Sequence, residues 1–150
     1  MDANSFTPEA LGLLLANFVG LTNGVEDAVF ASLDGLPLAS TEADEEKRGH
    51  WAALTTSIFH TANRLGPLRG IDEPGRQVIV ELGDDSLVMI MSAGEGLPPW
   101  HITAGTANVT GCVLGVATSS SADHGVVAFA AQQFVQSISQ HLIVPARAKS

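Results

Sequence analysis

The dipeptide Asp34-Gly35, set between two short runs of strand-forming residues, constrains this chain more than any other feature. Ala28 to Leu33 and Leu36 to Ala39 are apolar and read as strands, and Asp-Gly supplies the positive backbone angles of a tight two-residue hairpin turn. Such a turn fixes the register of the pair. Both faces of the first strand are apolar, with Val29, Ala31 and Leu33 on one and Ala28 and Phe30 on the other. That pattern predicts a central strand covered on both sides. Pro37 has no N–H to give to a ladder, so the second strand is expected to be short and to lie at an edge with its nitrogen turned outward.

The flanking elements follow from caps and periodicity. Thr7-Pro8-Glu9 starts a helix whose apolar stripe is Leu11, Leu14, Leu15 and Phe18, and Gly20 is its expected stop. After the hairpin, Thr41-Glu42-Ala43-Asp44 has the spacing of a capping box and launches a longer helix to about Leu65, ended by Gly66-Pro67. Its expected core stripe is Trp51, Leu54, Ile58, Ala62 and Leu65, which leaves Ala52, Thr55, Thr56, Phe59 and Asn63 on flanking faces. Arg76 to Leu82 and Ser86 to Ser92 form a second hairpin around Gly83-Asp84-Asp85. Gln77, Ile79 and Glu81 share one face of its first strand, so that half-polar face is expected to be solvated or shared with another chain. Gly94 to Asn108 reads as a long connection, Val109 to Thr118 as a last strand with Gly111 and Gly115 inside it, and Ser119 to Asp123 as caps for a helix to about Ile143, stopped by Pro145. The order helix, strand, strand, helix, strand, strand, strand, helix, with two hairpins, predicts an α+β fold whose antiparallel sheet is covered by helices.

Composition narrows the function classes. At 150 residues the chain fits one domain, with a core over about 6–143 and a tail over 144–150. The single cysteine, Cys112, lies in an apolar run and reads as a reduced, buried thiol. The start of the chain has no basic segment followed by an apolar core and a cleavage site, and no apolar run approaches the roughly 20 residues that span a bilayer, which points to a cytoplasmic protein. Sixteen Asp and Glu against seven Lys and Arg give a net charge of −9, so nucleic acid and anionic membrane are poor partners. The acids Glu42, Asp44, Glu45 and Glu46 cluster where a helix N-terminus favours them. His50, His60, His101, His124 and His141 have no short ligand spacing, and P-loop, Rossmann and nucleophile-elbow patterns are absent. No catalytic residue, cofactor or metal is therefore expected.

The segment Gly-Val-Glu-Asp-Ala-Val-Phe-Ala-Ser-Leu-Asp-Gly-Leu-Pro-Leu-Ala-Ser from Gly24 to Ser40, placed between an N-terminal helix and a long second helix, resembles the opening of a Roadblock/dynein-light-chain domain. The resemblance covers roughly Phe6 to Leu142; its specific motif is the first hairpin, and its small-residue richness is similar to the bacterial branch. It implies a five-stranded antiparallel sheet sandwiched between a long middle helix on one face and the N- and C-terminal helices on the other. It further implies a homodimer in which the third strands pair and the middle helices lie side by side. Arg76, Gln77, Val78, Ile79, Val80 and Glu81 would then form the seam, with Ala52, Thr55, Thr56 and Phe59 near their symmetry mates. Bacterial members typically act on small Ras-like GTPases as activators or scaffolds, often beside sensor kinases, and they need not supply an arginine finger. The connection Gly94 to Asn108 is longer than the family pattern.

Four residues stand out as candidate partner contacts. Arg64 and Arg69 flank the expected seam and read either as ordinary surface charge or as GTPase contacts. Trp100 and His101, in Pro98-Pro99-Trp100-His101, read either as a loop anchor packed onto the domain or as a ligand or partner contact. The alternatives to a GTPase regulator are a ligand-sensing module built on 94–108 and a structural adaptor in a kinase or GTPase complex.

Overall fold

The computed structural model describes residues 5–6, 8–73, 75–93, 101–104, 107–109 and 112–148. In chain order the elements are β1 (Ser5–Phe6), α1 (Pro8–Leu21), β2 (Val25–Ser32), β3 (Pro37–Ser40), α2 (Glu45–Asn63), the single turn α3 (Leu65–Leu68), β4 (Gln77–Glu81), β5 (Leu87–Ala93), β6 (His101–Ala104), β7 (Ala107–Val109), β8 (Cys112–Thr118) and α4 (His124–Ala148). Five strands form one sheet in the order β3-β2-β8-β5-β4, every neighbour antiparallel. The helices divide between its faces. Alternating residues of β2 send Ala28 and Phe30 into a core with Leu11, Leu15 and Phe18 of α1 and Val127, Ala131 and Ile138 of α4. Val29 and Ala31 point the other way, to Ala52 of α2. The sandwich expected from the sequence is the one observed. β2 is interior, and β3 and β4 are the two edges.

Both hairpins close with the same three-residue loop. Ser32 N–H donates to Leu36 O (2.9 Å) and Gly35 N–H to Ser32 O (2.9 Å); Leu82 N–H donates to Ser86 O (2.8 Å) and Asp85 N–H to Leu82 O (3.0 Å). The last loop residue has positive φ in each, +89° at Gly35 and +69° at Asp85, which is a type I turn followed by a left-handed residue. The two-residue Asp34-Gly35 turn is thus not formed, and Leu33 belongs to the loop rather than to β2. A bulge at Leu38 restores the register, since Ala31 faces Pro37 while Phe30 faces Ala39.

Other boundaries also move. Helix α1 passes Gly20 to Leu21, and the left-handed residue beyond it is Gly24 (φ +92°), where a Cβ would lie 2.6 Å from Ala122 Cβ. Thr41 does not cap α2. Its N–H donates to Ala28 O and its Oγ1 accepts from Ala28 N–H, prolonging the β2–β3 pairing, while Asp44 accepts from Glu46 and Lys47 N–H as the N-cap. Glu45 and Glu46 then occupy the acid-favoured first turn. The span 94–108, expected to be a plain connection, contains β6 and most of β7, which join β1 in a small second sheet. The expected strand from Val109 is accordingly divided between β7 and β8. Helix α4 runs to Ala148 and so passes Pro145, its expected stop.

Candidate functional site

The middle helix carries two stripes at helical spacing, and the one facing the sheet is the less apolar. Ala52, Thr55, Thr56 and Phe59 are buried, whereas Leu54 is 61% exposed, Leu65 is exposed and Trp51 and Ile58 are half-buried. This reverses the expected faces. Close approach is the reason: Gly115 of β8 lies beneath Thr55, leaving room for small side chains only. Thr56 satisfies its hydroxyl by donating to Ala52 O (2.8 Å), with Ser32 O at 3.2 Å. Phe59 packs with Val88, Ile90 and Val113. Ala52, Thr55, Thr56 and Phe59, assigned by resemblance to the seam between copies, therefore lie inside the chain and present no surface to a mate.

The displaced apolar stripe lines a groove of about 280 Å³ between α2 and the β4 side of the sheet. Trp51, Leu54 and Ile58 form one wall, Val80, Leu82, Val88 and Ile90 the other, and Lys47 and His50 stand at its polar margin. Val78 and Val80 pack under α2, so the alternation of β4 puts Gln77, Ile79 and Glu81 on the opposite face, as their spacing predicts. Ile79 is 54% exposed. Among the described residues β4 pairs with β5 alone, so the groove runs to a strand edge that no other described strand joins.

The connection from α2 to β4 holds this edge in place. Asn63 Nδ2 donates to Phe59 O (2.9 Å) and its Oδ1 accepts from Gly75 N–H, while Ile71 N–H donates to Gly66 O (2.9 Å). Arg64 is the C-cap of α2, its N–H directed at Ala62 and Thr61 O, and Arg69 follows α3; both side chains, and that of Arg76, are exposed. Among the described residues, Gln77 Nε2 is buried without a hydrogen-bond partner. Trp100 and the side chain of His101 lie outside the described residues, although the His101 backbone opens β6.

Cys112 is 1% exposed in the core, and burial pushes its thiol well above the ordinary cysteine range. It is a packing residue rather than a nucleophile. Among the described residues no three His, Cys, Asp or Glu side chains gather as a metal site, and no helix is long and apolar enough to cross a membrane. The sequence signal that would have located the groove was present: a helix with two competing stripes facing a strand that contains Gly115.

Comparison with known proteins agrees with this architecture. No curated protein matches the sequence significantly. Among solved structures, a Roadblock/LC7 domain from Streptomyces avermitilis is 27% identical, with a TM-score of 0.68 over 89% of this chain and 98% of its own. MglB of Myxococcus xanthus (12% identity, TM-score 0.70, covering 92% of this chain and 91% of its own) and the gliding protein MglB of Thermus thermophilus (16%, 0.67, 90% of each) share the fold. The Roadblock/LC7 domain matches residues 11–97, from the first buried leucine of α1 past the end of β5. That span is more than half of the sequence and contains both hairpins and the groove, and the chain belongs to the Roadblock/LC7 family.

Proposed function

We propose that this chain is a non-enzymatic homodimeric regulator that binds a small Ras-like GTPase and modulates its GTP hydrolysis or its localisation. The observation that carries the dimer is the apolar face of α2 lying beside the uncovered edge of β4. An open edge is a template for another strand, and an apolar groove next to it is covered by the same approach. The occupant is a second copy. Bringing two such edges together covers Trp51, Leu54, Ile58 and Leu82 of each chain, and each large apolar side chain taken fully from water contributes about 1.5–3 kcal/mol. Residues 76 to 81 stay in the seam, and the exposed face of α2 replaces Ala52, Thr55, Thr56 and Phe59.

Family membership supports the GTPase reading, together with a cysteine unsuited to nucleophilic chemistry. The exposed Arg64 and Arg69 are offered to an acidic partner surface at the end of α2, away from the groove. Two measurements test the proposal. Light scattering at micromolar concentration should give twice the 15.6 kDa chain mass. GTP turnover by a small GTPase encoded beside this chain should then change when the chain is added. Binding without acceleration identifies a tethering scaffold, and absence of binding removes the GTPase reading.

A further inference from the structure

We infer that the connection from α2 to β4 is a docking knob for the GTPase, with Leu65, Leu68 and Ile71 as its apolar centre and Arg64 and Arg69 as its charged rim, and that it seats in an apolar cleft bordered by carboxylates. The inference rests on the GTPase reading and names the surface that makes the contact.

Three large aliphatic side chains are exposed close together in this connection. Leu68 is 83% exposed, more than any other large apolar side chain among the described residues, and Leu65 and Ile71 are open as well. Leu65 and Leu68 stand three positions apart on the single turn α3, hence on one side of it. Ile71 is folded back onto that turn: its N–H donates to Gly66 O, and its Cβ lies 3.8 Å from the place of a Cβ on Gly66. Apolar side chains scattered singly over a surface call for no explanation, whereas a group gathered on one turn marks a contact.

The knob is held by its own backbone. Arg69 N–H also donates to Gly66 O (2.8 Å) and Gly70 N–H to Pro67 O (3.1 Å), with Gly70 at φ +76°, a value glycine adopts without strain. Asn63 Oδ1 accepts from Gly75 N–H and ties the far end of the connection to α2. A backbone fixed in this way loses little freedom on docking.

Charge selects the partner. Arg64 and Arg69 flank α3, and the Asn63–Gly75 bond brings Arg76, where the proposed seam begins, back beside α2. Among the described residues none of these guanidinium groups is in an ion pair, although Asp72 and Glu73 are exposed in the same connection. In a chain of net charge −9, uncompensated arginines around an apolar centre fit an acidic protein surface, while a long polyanion would meet repulsion from the rest of the molecule. None of residues 64–76 lines the groove between α2 and β4, so the knob is separate from the apolar surface assigned to the second copy.

Titration of the full-length protein with the small GTPase encoded beside it, loaded with GDP or with a non-hydrolysable GTP analogue, tests the knob. Leu68→Ser should weaken the tighter of the two complexes about tenfold or more. Arg64→Glu combined with Arg69→Glu should weaken it as much at low salt and flatten the salt dependence of the wild type. Leu13→Ser, which removes a comparably exposed leucine of α1, should bind like the wild type. Scattering mass and far-ultraviolet dichroism should be unchanged in every variant. Wild-type affinity in Leu68→Ser or in the double reversal, or equal weakening by Leu13→Ser, overturns the knob and leaves the GTPase reading. A halved mass in Leu68→Ser or the double reversal assigns these residues to the seam and also overturns it. No binding by the wild-type chain removes the GTPase reading, and the knob with it.

Discussion

A Cβ atom on Gly115 would sit 2.9 Å from Thr55 Oγ1, so strand β8 and helix α2 meet at a point where the strand has no side chain. Thr55 Cγ2 at 3.0 Å and Val29 Cγ1 at 3.2 Å close the same space. Gly115→Ala should therefore lower stability by about 1–3 kcal/mol through overpacking. In urea denaturation, Gly115→Ala combined with Thr55→Ala should lose less than the sum of the single changes. Strict additivity would show that the contact does not set the helix height.

Leu54 is exposed on the groove wall, so its replacement tests association without entering the core. Leu54→Glu should halve the scattering mass and leave the far-ultraviolet dichroism unchanged, with a stability change within about 0.5 kcal/mol when measured on monomer. A dimer that survives this charge at wild-type affinity would place its interface elsewhere.

Asp85 holds φ +69° in the β4–β5 loop, where the equivalent residue of the other hairpin is Gly35. Asp tolerates that region better than most residues, and a β-branched side chain does not. Asp85→Val should cost about 1–2 kcal/mol, and Asp85→Gly should be neutral or stabilising. Thermal melts of the two variants provide the comparison, and equal melting temperatures would contradict the turn assignment.

Hydrogen bonds from the Ser86 hydroxyl and then the Ser86 N–H hold the Asp84 carboxyl below the ordinary aspartate value of 3.8. A native value lower than the unfolded one means that protonation favours unfolding. The contribution of Asp84 is thus fully present above pH 3.8 and fades as pH falls through 3.8 toward the lower native value. The urea midpoints of wild type and Asp84→Asn should differ at pH 7 and converge as the pH drops below that point; a gap that widens in acid would reverse the sign.

Cys112 should not react with an exposed-thiol reagent in the native protein. Labelling should follow unfolding, rising with denaturant along the loss of near-ultraviolet dichroism. Rapid native labelling would contradict its place in the core.

The layers of the fold were legible because period-two alternation in β2 and β4 fixes which residues face which side, and the structure keeps both assignments. The face of α2 was not legible from hydropathy. Trp51, Leu54 and Ile58 and the set Ala52, Thr55, Thr56 and Phe59 both satisfy helical spacing, and the choice between them depends on Gly115, about 60 positions away in sequence. Turn details failed for a similar reason. Asp34-Gly35 is compatible with two- and three-residue loops, and the bulge at Leu38 shows which one the strands accept. Thr41 has the spacing of a helix cap, yet its hydroxyl and N–H are engaged by Ala28 across the hairpin.

The far edge of the sheet decides how large an assembly can grow. β3 has four residues, is interrupted by the Leu38 bulge and begins with Pro37, which faces Ala31 at a position where β2 bonds to β8 instead. The Pro37 nitrogen consequently lies on the outer side and removes a donor from that border. A chain with two receptive borders would add copies without end and form a fibre; in the proposed dimer the β4 border takes the copy, and the β3 border lacks a donor to take another. Growth of the proposed assembly by strand addition would therefore stop at two chains, with β3 at both outer margins of the joined sheet.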